Sequence, residues 1–258
     1  MEKFISSTSN AYVKHLKKLQ TSAKYRAEQG TFVLEGERPV RDALSYGIVP
    51  ESILVSEKYK GEVTAEKTFR ITDRVAEYIS DTKTSQGIMA EIKMPKWNAK
   101  EISTQNSPFL LFSDGISDPG NLGTIIRTLE GAGASGIISG RGTVDLYNPK
   151  TVRSTMASLF NLPVYYAGDT AGVLRTLKKK GYRIVGTRME NAEIYTEADF
   201  SLPTVVVMGN EARGISQEAM AECDGFVRIP IVGKIESLNV AVASAVIAYE
   251  ALRQRNKR

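Results

Sequence analysis

The 258-residue chain contains one cysteine, Cys223, and one histidine, His15. A single thiol excludes an intramolecular disulfide and a cysteine-rich zinc site. A single imidazole excludes a multi-histidine metal site and argues against a Ser-His-Asp triad. No bound metal is therefore expected. The N-terminal stretch MEKFISSTSN has no apolar leader core, and no uninterrupted apolar run approaches the length of a membrane span. No membrane association is expected, and a reducing cytoplasm is the expected compartment. Internal repeats and low-complexity tracts are also lacking.

What remains is the composition of an ordinary folding protein, 42% hydrophobic and 24% charged with nine prolines. The net charge of +5 is modest but unevenly placed. Lys3, Lys14, Lys17, Lys18, Lys24 and Arg26 open the chain against only Glu2 and Glu28, and Arg253, Arg255, Lys257 and Arg258 close it. Such clusters suit a polyanion, because each phosphate contact releases counterions. They equally suit a solvated helix face and a basic tail.

The length favours two domains. Residues 11–29 place Val13, Leu16 and Leu19 at helical spacing between lysines, which predicts a basic amphipathic helix. TFVLEG then reads as a strand, EGERPVRDALSYG as a helix, ESILVSEKY as a strand, TDRVAEYIS as a helix and GIMAEIKM as a last strand. The polar stretch MPKWNAKEISTQNSP has no sustained period. These features divide the chain into an N-terminal domain (1–95), a linker (96–106) and a C-terminal domain (107–258). In the last, strands are expected near 109–113, 136–139, 163–166, 183–187, 204–208 and 226–230. Helices are expected near 121–131, 149–160, 170–180, 215–222 and 238–254. Regular alternation of this kind predicts an α/β fold with a mostly parallel sheet covered on both faces.

GAGASG, residues 131–136, matches the glycine pattern of a dinucleotide-binding loop. That loop needs a strand before it and a helix after it, so that pyrophosphate meets the helix N-terminus. Here the order is inverted. Leu122, Ile125, Ile126 and Leu129 form a helix face upstream, and GIISG is strand-like downstream. Gly131 is therefore expected at a helix C-cap, where a left-handed backbone favours glycine.

Three other stretches carry chemistry. In DGISDPGNLGTIIR, Asp114, Asp118, Pro119, Gly120 and Asn121 form a polar loop after a buried strand, on the side where α/β sheets keep ligands. Asn121 or Asp118 can cap the following helix. Arg127 interrupts an apolar run and faces away from the helix stripe, as a solvated arginine also does. In VVVMGNEARGIS, an apolar strand ends at Gly209 and the chain presents Asn210, Glu211 and Arg213 before Gly214. In FVRIPIVGKIESLNVAVASAVIAYEAL, Ser237 is a candidate N-cap of an alanine-rich helix. Asn239 stands there in otherwise apolar company, which core packing does not explain.

Taken together, N-x-G-x-x-x-R at 121–127, G-N-E-x-x-G at 209–214 and I-P-x-x-G-x-x-x-S-L-N-V-A-x-A at 229–243 resemble the three ordered motifs of the SpoU (TrmH-type) RNA ribose 2′-O-methyltransferases of the SPOUT superfamily. The resemblance covers residues 107–258. Residues 1–95 more loosely resemble the small RNA-binding domain that precedes the catalytic domain in many members. The resemblance implies an α/β fold whose C-terminal segment is threaded as a deep trefoil knot, an exception to the unknotted rule. It further implies a homodimer formed through the C-terminal domain, with S-adenosylmethionine bound in the knot. By matched position, Gly209, Ile229 and Leu238, with Thr187 in the preceding strand-end loop, are implied to contact that cofactor. Asn121, Arg127, Glu211, Ser237 and Asn239 match catalytic and RNA-binding positions.

The family assigns the arginine at this position the role of base, but a guanidinium is not deprotonated in proteins. Gripping a phosphate and stabilising developing alkoxide charge suit Arg127 better, with Glu211 orienting it or relaying the proton. The expected activity is methylation of a ribose 2′-hydroxyl, on ribosomal RNA by analogy with two-domain members. Transfer RNA is the alternative substrate, and a noncatalytic RNA-binding or assembly protein of the same fold is the alternative class. A nicotinamide oxidoreductase rests on GAGASG alone.

Overall fold

Near-continuous apolar runs such as FLLF at 109–112 and VVVM at 205–208 bury both faces of a strand, which is what an all-parallel sheet requires. The structure, a computed structural model, describes residues 3–63, 65–97 and 107–256. The expected linker lies outside the described residues from position 98 onward, as do Lys257 and Arg258. The chain divides into two compact units, residues 1–96 with 145–160, and residues 97–144 with 161–258.

The first unit contains a mixed five-stranded sheet. Its spatial order is β1 (Lys3–Ile5), β4 (Thr68–Ile71), β3 (Ser52–Ser56), β5 (Ile88–Lys93) and β2 (Thr31–Glu35). The sequence pattern misses β1 and β4, short strands that each carry a charged residue. The predicted helix over 11–29 is two helices, α1 (Ala11–Thr21) and α2 (Ala23–Gln29). Ser22 breaks it by adopting an extended backbone, and its hydroxyl accepts from the Tyr25 N–H as the cap of α2. Helices α3 (Glu37–Ser45) and α4 (Asp73–Ile79) complete the layer. Val13, Leu16 and Leu19 pack with Val75 and Ile79 of α4 over the strand residues Val33, Leu54 and Met89. Each such side chain contributes about 1.5–3 kcal/mol through burial.

Residues 145–160, expected within the C-terminal domain, pack with this first unit. The Arg26 side chain, 4% exposed, donates from Nε at 3.0 Å and Nη2 at 2.5 Å to Asp145 Oδ2. The Phe32 ring meets those of Tyr147 and Phe160, with centroids 4.9 and 6.2 Å apart. The predicted helix over 149–160 is shorter, running only from Pro149 to Thr155. Met156 and Ala157 then take left-handed backbone angles, φ 50° and 67°, and end it.

The second unit holds a seven-stranded sheet in which every pairing is parallel. Its order is β10 (Glu193–Ile194), β12 (Gly225–Arg228), β9 (Arg183–Thr187), β11 (Thr204–Gly209), β6 (Phe109–Asp114), β7 (Gly136–Ser139) and β8 (Val164–Tyr166). The predicted strands reappear within two residues at each end, and β10 is the addition. The chain first moves outward from β6 through β7 to β8, then crosses to β9 on the other side. The direction of travel therefore switches between β6 and β11, and the crevice at the carboxyl ends of those strands is where α/β sheets bind ligands.

Helix α5 (Pro119–Gly131) links β6 to β7, and α6 is the helix at Pro149–Thr155. Asp118, not Asn121, caps α5 by accepting from the Asn121 N–H at 2.8 Å, with proline in the first turn. The expected C-cap glycine is displaced by two residues. Gly131 ends the helix, Ala132 is the cap, and Gly133 is the left-handed residue at φ 67°. The Gly133 N–H reaches Glu130 O and the Ala134 N–H reaches Leu129 O, the double closure of a Schellman motif. GAGASG is thus a helix terminus leading into β7. Helices α7 (Thr170–Lys179), α8 (Gln217–Met220) and α9 (Val240–Arg255) follow.

Arg26→Ala is expected to leave Asp145 without its buried partner and to lower unfolding stability by about 3 kcal/mol. The measurement is the urea midpoint, and an unshifted midpoint would show that the ion pair contributes nothing net.

Candidate functional site at the sheet switch point

Parallel pairing in register sets Gly209 of β11 opposite Asp114 of β6. The loops that follow these residues therefore start side by side. Gly209 has no room for a side chain, since a Cβ there would lie 2.2 Å from the Gly214 carbonyl carbon. The chain turns sharply between them, with reciprocal Asn210 and Gly214 backbone hydrogen bonds of 2.9 Å and Gly214 at φ 68°.

That turn projects Glu211 toward the loop after β6. Its carboxylate accepts from the Ser117 N–H at 3.2 Å, the Ser117 hydroxyl at 3.0 Å, the Asp118 N–H at 3.3 Å and Asn121 Nδ2 at 3.0 Å. Burial pushes the Glu211 carboxyl upward, but hydrogen bonds from Asn121 and Ser117 outweigh it and hold the group below the usual carboxylate value. Glu211 is therefore ionised at neutral pH. Asn210 braces the same turn, donating from Nδ2 to Gly115 O at 2.8 Å and accepting from the Ala212 and Arg213 N–H groups.

The network continues to the third motif. Asn239 Nδ2 donates to Asn121 Oδ1 at 3.0 Å, while Asn239 Oδ1 accepts from the Ala241 and Val242 N–H groups. Asn239, and not Ser237, is thus the N-cap of α9. The amides run in one direction, from the start of α9 through Asn239 and Asn121 to the Glu211 carboxylate. Three segments far apart in sequence are joined by four side chains. Ser117 is the member that sequence reasoning missed. Its contact with Glu211 spans 94 residues, and nothing local distinguishes it from an ordinary loop serine.

Beside this network lies a cavity of about 740 Å³. Thr187, Gly209, Ile229 and Leu238 line it together with Glu211, Ser237 and Asn239. Met208, Ile231 and Ile247 supply apolar wall. The volume and the mixture of apolar wall with a few polar groups fit a ligand of nucleoside size. Arg188, also lining the cavity, lies 3.7 Å over the Phe226 ring and donates to Asn191 O.

Arg127 is not among the lining residues. It is exposed on α5 and makes no ion pair with Glu211, whose acceptor positions face the 117–121 loop. Glu211 and Arg127 are thus not paired within one chain, and the ionised Glu211 carboxylate accepts hydrogen bonds from the 117–121 loop. The chain's two rare groups are also engaged elsewhere. His15 Nδ1 meets the Tyr25 hydroxyl and Nε2 meets Glu91 Oε1, each at 2.9 Å, inside the first unit. Burial, reinforced by Asp224, pushes the Cys223 thiol up to about 11, so it is not a ready nucleophile. Among the described residues no group of acidic, histidine or cysteine side chains could hold a metal ion, and no helix is long and apolar enough to cross a membrane.

Comparison with known proteins gives a consistent match. Residues 108–249 match the model of the SpoU rRNA Methylase family, and residues 10–90 match that of the MRM3-like substrate binding domain. The chain is 36% identical over 251 residues to the 23S rRNA (guanosine(2553)-2′-O)-methyltransferase RlmP of Bacillus subtilis, covering 96% of this chain and 98% of that protein. It superposes on the SpoU methyltransferase AviRb of Streptomyces viridochromogenes, solved with the cofactor AdoMet, with a TM-score of 0.87 and 27% identity over 96% and 98% of the two chains. An AdoMet-bound rRNA methyltransferase from Sinorhizobium meliloti gives 0.86 and 31% over 97% of each chain.

Glu211→Gln places an NH2 group where the carboxylate accepts only, so donors from the 117–121 loop lose their partner. The amides of Ser117 and Asp118 are then expected to exchange with solvent about tenfold faster. Hydrogen exchange read by mass spectrometry checks this, and unchanged protection would mean the loop holds itself.

Proposed function

The chain belongs to the SpoU rRNA methylase family, and on that premise we propose that it methylates a ribose 2′-hydroxyl of ribosomal RNA using S-adenosylmethionine. The observation that carries the reading is the cavity at the switch point, where all three motifs contribute lining residues or their direct hydrogen-bond partners. In the proposed assignment Thr187, Gly209, Ile229 and Leu238 hold the cofactor. Ser237 and Asn239 keep the entrance to α9 in place beside it, and Asn121 and Glu211 fix the loop after β6. The family's trefoil knot belongs to the same reading, tied through the loops that line the cavity.

S-adenosylmethionine supplies an electrophilic methyl carbon whose sulfonium leaves as a neutral thioether. The protein's task is to place the hydroxyl in line with that carbon, and such positioning alone supplies much of the rate. As the oxygen–carbon bond forms and the carbon–sulfur bond breaks, the hydroxyl proton passes to solvent water and negative charge grows transiently on the oxygen. In the proposed mechanism the Arg127 guanidinium stabilises that charge and grips the neighbouring phosphate, remaining protonated throughout. Its exposure, with no ion-pair partner among the described residues, leaves it available for RNA.

The substrate-binding match supports residues 1–95 as an RNA-binding domain, with 107–258 as the methyltransferase domain. Association of two copies through the second unit is part of the proposal. Helix α9 exposes Val242 and Tyr249, each 51% accessible, and the nearby loop exposes Val232 and Ile235. Large apolar groups so placed are the usual material of an interface.

Purified protein with labelled S-adenosylmethionine is expected to methylate an unmodified 23S rRNA transcript at one ribose; no incorporation would overturn the assignment. Arg127→Lys is expected to retain RNA binding while turnover falls about a hundredfold. A near-normal rate would remove Arg127 from the mechanism.

A further inference from the structure

Arginines in the second unit are seldom left alone. Arg175 pairs with Glu222, Arg183 with Glu193 and Arg253 with Glu250, while Arg188, Arg228 and Arg255 donate to backbone carbonyls. Arg127, Arg141 and Arg213 differ. Each is exposed and makes no hydrogen bond or ion pair from its side chain among the described residues. Arg127 is on the helix after β6, Arg141 in the loop after β7 and Arg213 in the loop after β11. Those strands are consecutive neighbours in the sheet, so Arg141 and Arg213 flank the β6 loop from opposite sides. With neighbouring strands about 4.8 Å apart, their parent strands lie about 10 Å from each other.

The backbones beneath these side chains are held tightly. The Thr143 hydroxyl donates to Ser113 O at 2.8 Å and accepts from the Gly115 N–H, and the Val144 N–H donates to Ile116 O at 2.9 Å. A Cβ on Gly115 would lie 3.9 Å from both Arg141 O and the Asn210 Cβ, so the three loops touch. Glycines at 140 and 142 make that approach possible. A Cβ at Gly140 would strike the Phe112 ring at 2.6 Å, and Gly142 has φ 80°. On the other side, the Arg213 N–H is fixed by Asn210 Oδ1 at 3.1 Å, and Arg213 lines the cavity. Unpaired guanidinium groups on immobilised loops are placed to bind fixed anionic groups at little ordering cost.

We propose that Arg141 and Arg213 are phosphate-binding residues that hold the RNA backbone on either side of the nucleotide being modified. The inference rests on the methyltransferase reading, which places the target ribose at this cavity. A strand of RNA crossing the carboxyl edge of β11, β6 and β7 presents phosphates to both guanidinium groups, each able to bind phosphate oxygens in bidentate fashion. The nearby Glu211 carboxylate does not compete for them, because its acceptors face the 117–121 loop.

The test compares wild type with Arg141→Gln, Arg213→Gln and the double variant, using Lys179→Gln on the outer surface of α7 as control. Initial rates of methyl transfer to an unmodified 23S rRNA transcript give KM for RNA, filter binding of the transcript across salt concentrations gives the salt slope, and calorimetry gives S-adenosylmethionine affinity. Each single variant is expected to raise KM for RNA about five- to tenfold and to reduce the slope of log K against log salt by about 0.7–0.9, one counterion per lost contact. S-adenosylmethionine affinity should hold in Arg141→Gln, which also reports a folded cavity. RNA affinity and salt slope matching the control in both variants would overturn the proposal while leaving the activity intact. A wild-type protein that transfers no methyl group sinks the methyltransferase reading instead, and the filter-binding arm still reads Arg141 and Arg213.

Discussion

The carboxylate of Glu211 is the point on which the site's arrangement depends. It sits at the end of a parallel strand whose register sets Gly209 beside Asp114, and it gathers donors from Ser117, Asp118 and Asn121 across the switch point. Charge-assisted hydrogen bonds of this kind exceed neutral ones in strength, and several converging on one group outweigh the cost of partly burying it. The result is a carboxylate kept ionised and a loop kept in one conformation. Asn121, turned by that contact, offers its oxygen to Asn239, and Asn239 is left with its own oxygen toward the first amides of α9. One carboxylate thereby ties together the loop after β6, the turn after β11 and, through Asn121, the start of the last helix.

This arrangement bears on how methyl transfer can proceed without a conventional base. His15 is held by Glu91 and Tyr25, and Cys223 is kept as a thiol by burial. Glu211 serves as an acceptor for its neighbours. What the site offers is geometry and positive charge, which suits a displacement whose leaving group is neutral. The guanidinium groups of Arg127, Arg141 and Arg213 are exposed and make no ion pair with Glu211 among the described residues, so they keep their positive charge for the proposed RNA.

The first unit shows the same economy of buried polar groups. Glu91, 6% exposed, accepts from Tyr12 and Thr31 and meets His15. Glu35, also 6% exposed, accepts from Ser80, Thr82 and the Asp81 N–H, which fixes the loop after α4. Both carboxylates lie on neighbouring strands and are satisfied almost entirely by partners distant in sequence. Such networks specify one packing more sharply than apolar contacts alone, because a slipped register strands an unpaired charge.

Periodicity in the chain was enough to determine the alternation of β6 to α9, the parallel sheet and the scaffold role of GAGASG, since long apolar runs and helix stripes are local signals. The three polar motifs were legible too, as residue types that packing does not require. The short strands β1 (KFI), β4 (TFRI) and β10 (EI), each carrying a charged residue, escaped, whereas β7 (GIIS) and β8 (VYY), as short but uncharged, did not. The break at Ser22, the displaced Schellman glycine and the end of the helix at Met156 depend on single backbone angles that composition does not reveal. Only the tertiary structure decided that Asn239 caps α9 while Ser237 does not, that Ser117 anchors Glu211, and that Arg127 stands apart from that carboxylate. The reason is physical: hydrogen bonds between loops ninety or more residues apart are set by strand order and register, which no local stretch of sequence encodes.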